Sequence, residues 1–252
     1  MGVFSVIYLH MWDFFCTFAQ VGINMTLQEA IKARHSVRQY LDKPIEAEKI
    51  AQLQALIDES NRKVGLHMQL VTNEPNAFGG GRAKYGKFSG VSNYIAMICP
   101  RSKDTELGYY GEYIVLEAQR MGLNTCWVAL TFNNQPDQYV IDKGENLNTL
   151  ISIGYGATQG SQHPQRRTFD EVARDARTDK GAFPEWFSRG IEAALLGPSA
   201  LHQQKFAFVL HDGNLVEPKI PFTLLPQSTP TDLGIAKCHF EIAAGKENFQ
   251  WM

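Results

Sequence analysis

Apolar residues recur at helical spacing along some stretches of this chain and bunch into short runs along others. Leu27, Ala30, Ile31 and Ala33 follow Thr26 and define one face of a short helix, opened by a capping box of Thr26 and Glu29. This helix is expected to end near "HSVRQY". Ile50, Leu53, Leu56 and Ile57 form the stripe of a second helix, with Pro44 expected just inside its start, where a missing N–H costs little. "ELGYYGEYIVLEAQRMG" predicts a long apolar helix stopped by Gly122. "PEWFSRGIEAALL" predicts a helix opened by Pro184 and ended by Gly197 and Pro198, and "DLGIAKCHFEIAAG" a last one. Strands are expected at "HMQLV" (67–71), at "NYIAMIC" (93–99, closed by Pro100), at "TCWVAL" and at "TLISIGYG". "KFAFVL", "DG" and "NLVEPKI" read as a hairpin. "NAFGGGRAKYGKFSG" reads as a glycine-rich loop carrying Arg82, Lys84 and Lys87, and "HPQRRTFDEVARDAR" as a surface crossing. Strands and helices do not alternate strictly, which predicts an α+β fold rather than a doubly wound one.

Composition narrows the function. The chain has 252 residues, 44% of them hydrophobic, enough for one large domain or two small ones. A formal net charge of -2 and the lack of a basic stripe argue against nucleic acid or an acidic membrane as partner. Cys16, Cys99, Cys126 and Cys238 are scattered, without a CxxC pair or metal spacing, so they read as free thiols in a reducing cytoplasm, with no metal site. Residues 1–24 are apolar and aromatic but interrupted by Asp13. They make a poor signal peptide and a short membrane span. They read as a leader or non-native extension, with Met25 as the start; a membrane-associated leader is the other reading.

The candidate chemistry begins at "ARHSVRQY". Arg34 and Arg38 would share a helix face, repelling slightly unless an anion lay between them, with the Ser36 hydroxyl as a further donor. The competing reading is a solvated basic helix end, and spacing alone favours it. "GLNTCWVAL" reads by default as a buried strand. The glycines of "SIGYGA" could admit a planar ligand or close a tight turn. Arg166 and Arg167 are either solvated or a second phosphate clamp. No GxGxxG in a strand-to-helix setting, Walker A loop, GxSxG elbow or HExxH is present.

Taken in order, these pieces resemble the FMN-dependent nitroreductase family. Its helix running into "RxSxR" is matched by Arg34-His35-Ser36-Val37-Arg38, and its helix ending before a Gly-Leu, Thr and Trp pattern by Gly122-Leu123-Asn124-Thr125-Cys126-Trp127. Its "GYP"-like strand end is matched by Gly154-Tyr155-Gly156-Ala157, and its following basic stretch by Arg166 and Arg167. One departure is informative. The family's Pro-Ser turn normally follows the second helix, where this chain has "IDESNRKVGL". It occurs instead at 197–206 as "GPSALHQQKF", with His202 in place of Asn and Lys205 in place of Pro. In the family's homodimer this turn comes from the partner chain. The resemblance, together with a faint echo between "DKPIEAEKIAQLQALIDESN" and "DKGAFPEWFSRGIEAALLGPSA", implies the single-chain branch: an internally duplicated pseudo-dimer with antiparallel-rich sheets flanked by helices.

What the resemblance implies is specific. Residues 25–175 would be the half that carries the FMN phosphate site, and 176–252 a degenerate half that completes the pocket. Arg34 and Ser36 would hold the phosphate, with Arg166 or Arg167 helping; His35 between them would be a further cofactor-binding residue, and Arg38 would lie nearer the flavin N1–C2=O edge. Backbone of Gly154, Tyr155 and Gly156 would sit near N5, with Thr125 and Cys126 along the ring system. Pro198, Ser199, Ala200 and His202 would form the opposite wall. No protein acid or base is required. The implied activity is transfer of electrons from NAD(P)H, through FMN, to a nitroaromatic, quinone or similar acceptor in a ping-pong order. A flavin-binding or interaction module without reductase activity is the alternative. Tyr109, Tyr110 and Phe222 are candidates for shaping the open face, core packing being the other reading. A monomer is expected, although a pseudo-dimer can still self-associate.

Overall fold

Residues 25–222 and 227–252 are described by the computed structural model, so the reading of 1–24 lies outside the described residues. The first capping box forms: Thr26 accepts from the Glu29 N–H, and the Glu29 carboxylate accepts from Thr26 N at 2.7 Å. Helix α1 then spans Leu27–Ala33 and stops at Arg34, whose backbone is extended (φ −73, ψ 132). The chain continues as a bridged segment, pairing Ser36 with Thr125 and Tyr40 with Gly156. Arg34 and Arg38 therefore do not share a helix face. They lie on an extended stretch whose alternation puts 34, 36 and 38 on one side and buries Val37 on the other.

Helix α2 (Ala47–Val64) buries Leu53 and Ile57, as its stripe predicts, and ends on Gly65 at φ +70. Its N-cap is Glu46, and its first turn closes from Ile50 N to Glu46 O at 3.0 Å. Pro44 thus precedes the helix rather than opening it. Strand β1 (Gln69–Val71) follows, then a short helix α3 (Ala83–Gly86) inside the stretch read as a glycine-rich loop, then β2 (Tyr94–Pro100). The long helix α4 covers Asp104–Arg120, with Gly122 beyond it at φ +77. With β3 (Asn124–Val128) and β4 (Glu145–Gly154) the first sheet is complete, in the order β1-β2-β4-β3 and antiparallel throughout. β2 is buried on both faces, which explains its unbroken apolar run.

The stretch read as a surface crossing has structure of its own. A second capping box, Thr168 with Glu171, opens the short helix α5 (Phe169–Val172), which leads straight into β5 (Ala173–Asp175). Helix α6 (Glu185–Ala194) precedes the expected hairpin of β6 (Ala207–His211) and β7 (Leu215–Lys219), turned at Gly213. Helix α7 (Thr229–Ala244) and β8 (Gln250–Trp251) end the chain. The second sheet runs β5-β6-β7-β8, with parallel pairs at its two edges. β5 thus belongs to the second sheet although its residues fall in the 25–175 range. The fold is α+β, and among the described residues no helix is long and apolar enough to cross a membrane.

Helices α4 and α7 cross between the sheets with no room for a side chain. A Cβ on Gly108 would lie 2.0 Å from the Thr231 carbonyl oxygen, and one on Gly234 would lie 2.0 Å from that of Thr105. Each glycine meets the carbonyl three residues ahead of the other, a reciprocal contact. The matching tetrapeptides are Thr105-Glu106-Leu107-Gly108 and Thr231-Asp232-Leu233-Gly234.

Candidate functional site

The extended stretch after α1 and the turn after α6, more than 150 residues apart in sequence, line one cleft of about 450 Å³. Arg34, His35, Ser36 and Arg38 form one side with Trp127–Thr131; Leu195–His202 and the start of α7 form the other. This volume lies in the range of small-molecule and cofactor pockets.

Behind the first wall lies a buried charge network. Arg34 is 6% exposed, and its Nε has no hydrogen-bond partner, lying 3.6 Å from a Glu112 carboxylate oxygen. Glu112, fully buried on α4, accepts from Trp127 Nε1 at 2.7 Å and lies 2.9 Å from His239 Nε2. Burial pushes its carboxyl up, but Arg34, His239 and Trp127 outweigh burial and hold it below the usual range. Burial also pushes the Cys126 thiol up, against the pull of Arg38, Ser36 and Arg34, so this cysteine is a packing residue and not a thiolate.

The second wall is strained and braced. Leu201, His202 and Gln204 all have positive φ (50, 54 and 51), a conformation that side chains other than Gly adopt at a cost. Gln204 holds the turn: its Nε2 donates to Leu195 O at 2.7 Å, its N–H to Ser199 Oγ at 2.9 Å, and its Oε1 accepts from the N–H groups of Arg166 and Arg167. Asp232 holds it from α7, accepting the Ala200 N–H at 3.0 Å.

Burial pushes the Asp232 carboxyl up to about 7. Because this value exceeds that of an unfolded aspartate, the folded state binds the extra proton between about pH 4 and 7. The residue's contribution to stability therefore falls as pH rises through that window and is flat above it. Asp232→Asn should remove this slope from urea unfolding measured between pH 4 and 8. An unaltered slope would contradict the burial argument.

Eight of the residues named from sequence line the cleft: Arg34, His35, Ser36, Arg38, Pro198, Ser199, Ala200 and His202. The others stand outside its lining. Thr125 pairs with Ser36 and is buried behind it, as is Cys126. Gly154 packs on the Tyr40 ring, and the Gly156 N–H donates to Asn124 Oδ1 at 3.0 Å, so both glycines serve close packing. Tyr155 is half-buried against the core of the first sheet, with Lys43 over its ring at 3.8 Å from the centroid and Lys49 donating to its hydroxyl at 2.8 Å. Arg167 pairs with Glu171 at 2.9 Å, and Arg166 Nη1 donates to Leu201 O at 3.1 Å, bracing the turn. Tyr109 and Tyr110 line a separate groove between α2, α4 and α7. Phe222 is exposed and lies outside the cleft lining; Phe88, Leu130 and Leu201 line the cleft instead. Sequence reading missed Glu112, Asp232 and His239. The repeated Thr-acid-Leu-Gly tetrapeptide marks where α4 and α7 cross but carries no signal for the roles of these three residues. Elsewhere His67, Asp142 and Glu145 bring possible metal-ligand atoms within 4.8 Å of one another, but His67 Nδ1 is already hydrogen-bonded to Glu145 at 2.7 Å.

The chain thus joins a two-sheet α+β fold to a cleft between an early basic stretch and a late Pro-Ser turn. The profile of the family described as "Putative TM nitroreductase" matches residues 26–244, and the chain belongs to this family. A crystal structure of a nitroreductase from Thermotoga maritima superposes with a TM-score of 0.61 at 22% identity, covering 90% of this chain and 87% of that one. A nitroreductase from Desulfovibrio desulfuricans in complex with FMN gives a TM-score of 0.44 at 18% identity, covering 64% of this chain and 100% of that one. An FMN-dependent nitroreductase from Clostridium difficile gives 0.43 at 18%, covering 57% and 95%. No curated protein matches the sequence.

Proposed function

We propose that this oxidoreductase binds one FMN per chain in the cleft and passes electrons from NAD(P)H to a nitroaromatic, quinone or similar small acceptor. The observation that carries the reading is the meeting of Arg34, Ser36 and Arg38 with the Pro198–Ala200 turn across one cleft, with a buried guanidinium nitrogen of Arg34 left without a hydrogen-bond partner. That donor set, two arginines and a hydroxyl along one wall, fits a phosphate on a planar ligand, which guanidinium groups bind through charge-assisted hydrogen bonds.

Arg34 and Ser36 would bind the phosphate, and Arg38 would face the flavin edge where negative charge collects on reduction. The Pro198–Ala200 turn would exclude water from the opposite side. Phe88, Leu130 and Leu201 would guide flat apolar substrates. The cofactor would supply the two-electron hydride chemistry, so no protein acid or base is assigned. One cleft serves donor and acceptor, so they enter in turn, which is a ping-pong order. We further read the chain as a cytoplasmic monomer made of two related halves. The reciprocal Gly108–Gly234 contact and its repeated tetrapeptide support the duplication.

Purified protein is expected to be yellow and to bleach when NADPH is added without oxygen. Colour without bleaching would favour a flavin-binding module. Ser199→Trp should fill the cleft and expel FMN while the chain stays monomeric in light scattering. Loss of FMN only through breakage of a homodimer would contradict the intrachain site.

A further inference from the structure

His239 on α7 has no part in the flavin reading above. The side chain is fully buried. Its Nδ1 lies 3.0 Å from the carbonyl oxygen of Ala193, near the end of α6, and its Nε2 lies 2.9 Å from Glu112 Oε1 on α4. A carbonyl and a carboxylate can only accept. A neutral imidazole has one N–H and would leave two acceptors facing each other across its bare nitrogen. We infer that His239 is a buried imidazolium that ties the two walls of the cleft together and supplies the positive charge that leaves Arg34 free to hold an anion. Only the identity of that anion rests on the flavin reading.

The charge balance decides the point. Arg34 and Glu112 alone form a neutral pair, and a phosphate entering the cleft would meet an arginine already compensated. With His239 protonated, Glu112 is shared between two cations and the cluster is net positive toward the cleft. The other groups around the ring do not alter this sum. Cys238 beside it is kept protonated by burial and by Glu112. Glu241, two residues on, is hydrogen-bonded by Tyr109 and Trp251 at 2.7 Å each, and its charge is paired with Lys246 at 3.7 Å. Trp127 donates to the second Glu112 oxygen and carries no charge.

The same ring touches the opposite wall. A Cβ on Gly197, directly before Pro198, would lie 3.6 Å from His239 Nδ1. One imidazolium therefore bonds the helix end that leads into the Pro-Ser turn and the carboxylate that backs Arg34. His239 is a positioning residue, acting through Glu112.

The test uses the full chain and two readouts. Nitrogen NMR of labelled histidine, with the His239 signals assigned by their loss in His239→Gln, should show both ring nitrogens protonated at neutral pH in the flavin-free protein. FMN titration should give a dissociation constant about tenfold or more weaker for His239→Gln, the effect of removing one unit charge near a buried anion site. The double variant Glu112→Gln with His239→Gln restores the net charge and should recover most of that loss, which a purely structural role would not produce. A bare ring nitrogen on His239 would overturn the proposal whether or not flavin binds, and so would a double variant no tighter than the single one. Should the unaltered chain take no FMN, the flavin reading falls alone, and the same order of affinities measured with inorganic phosphate decides the charge argument.

Discussion

Arg34→Ala is expected to weaken FMN binding by about 1.5–3 kcal/mol, the loss of a charge-assisted hydrogen bond, or roughly 10- to 150-fold in Kd. The size follows from where the guanidinium sits. Arg34 is buried, its Nε has no hydrogen-bond partner, and Glu112 at 3.6 Å is shared with His239. Folding should survive, because His239 and Trp127 still satisfy both Glu112 oxygens. Arg34→Lys should fall between, keeping the charge and losing the planar fork. Equilibrium titration with FMN, followed by flavin fluorescence, checks this; an unchanged Kd would contradict the phosphate assignment.

Gly234→Val should be the most damaging single substitution outside the cleft. Its Cβ would stand 2.0 Å from a backbone oxygen of Thr105 and 3.0 Å from the Gly108 Cα, neither of which can rotate away. Helices α4 and α7 would have to separate, and with them Glu112 and His239. The cost should be about 3 kcal/mol or more, at the upper end of overpacking, which for a chain of this size corresponds to a Tm lower by roughly 6–12 °C. Flavin should be lost together with stability, because the crossing holds the two walls in register. A variant of unchanged Tm would mean that the helices do not meet at this point.

Much of the fold was legible because local signals agreed with tertiary demands. Thr26 and Glu29 cap α1 as their spacing requires, Gly122 ends α4, and the Asp212-Gly213 pair turns the last hairpin. The second capping box, Thr168 and Glu171, carried the same signal and was hidden by the charged residues around it, so α5 and β5 went unread. Arg34 to Arg38 misled because spacing of four favours a helix, whereas the pairing of Ser36 with Thr125 across the fold pulls the segment out straight. The cleft's rim residues were readable as short motifs. The residues behind them were not, since a lone buried Glu112, Asp232 or His239 has no spacing signature and gains its role only when α4, α6 and α7 meet. Gly154 and Gly156 show the converse: a glycine pair at a strand end suggests a ligand, but close packing on Tyr40 and Val37 accounts for both.

The most direct test is an absorbance spectrum of the purified full chain, with its flavin content and its molar mass in solution measured on the same sample. The account predicts one FMN for each 28.3 kDa chain in a monomer. A colourless protein that cannot be loaded with FMN, or one that holds flavin only as a dimer with the site shared between chains, would contradict it.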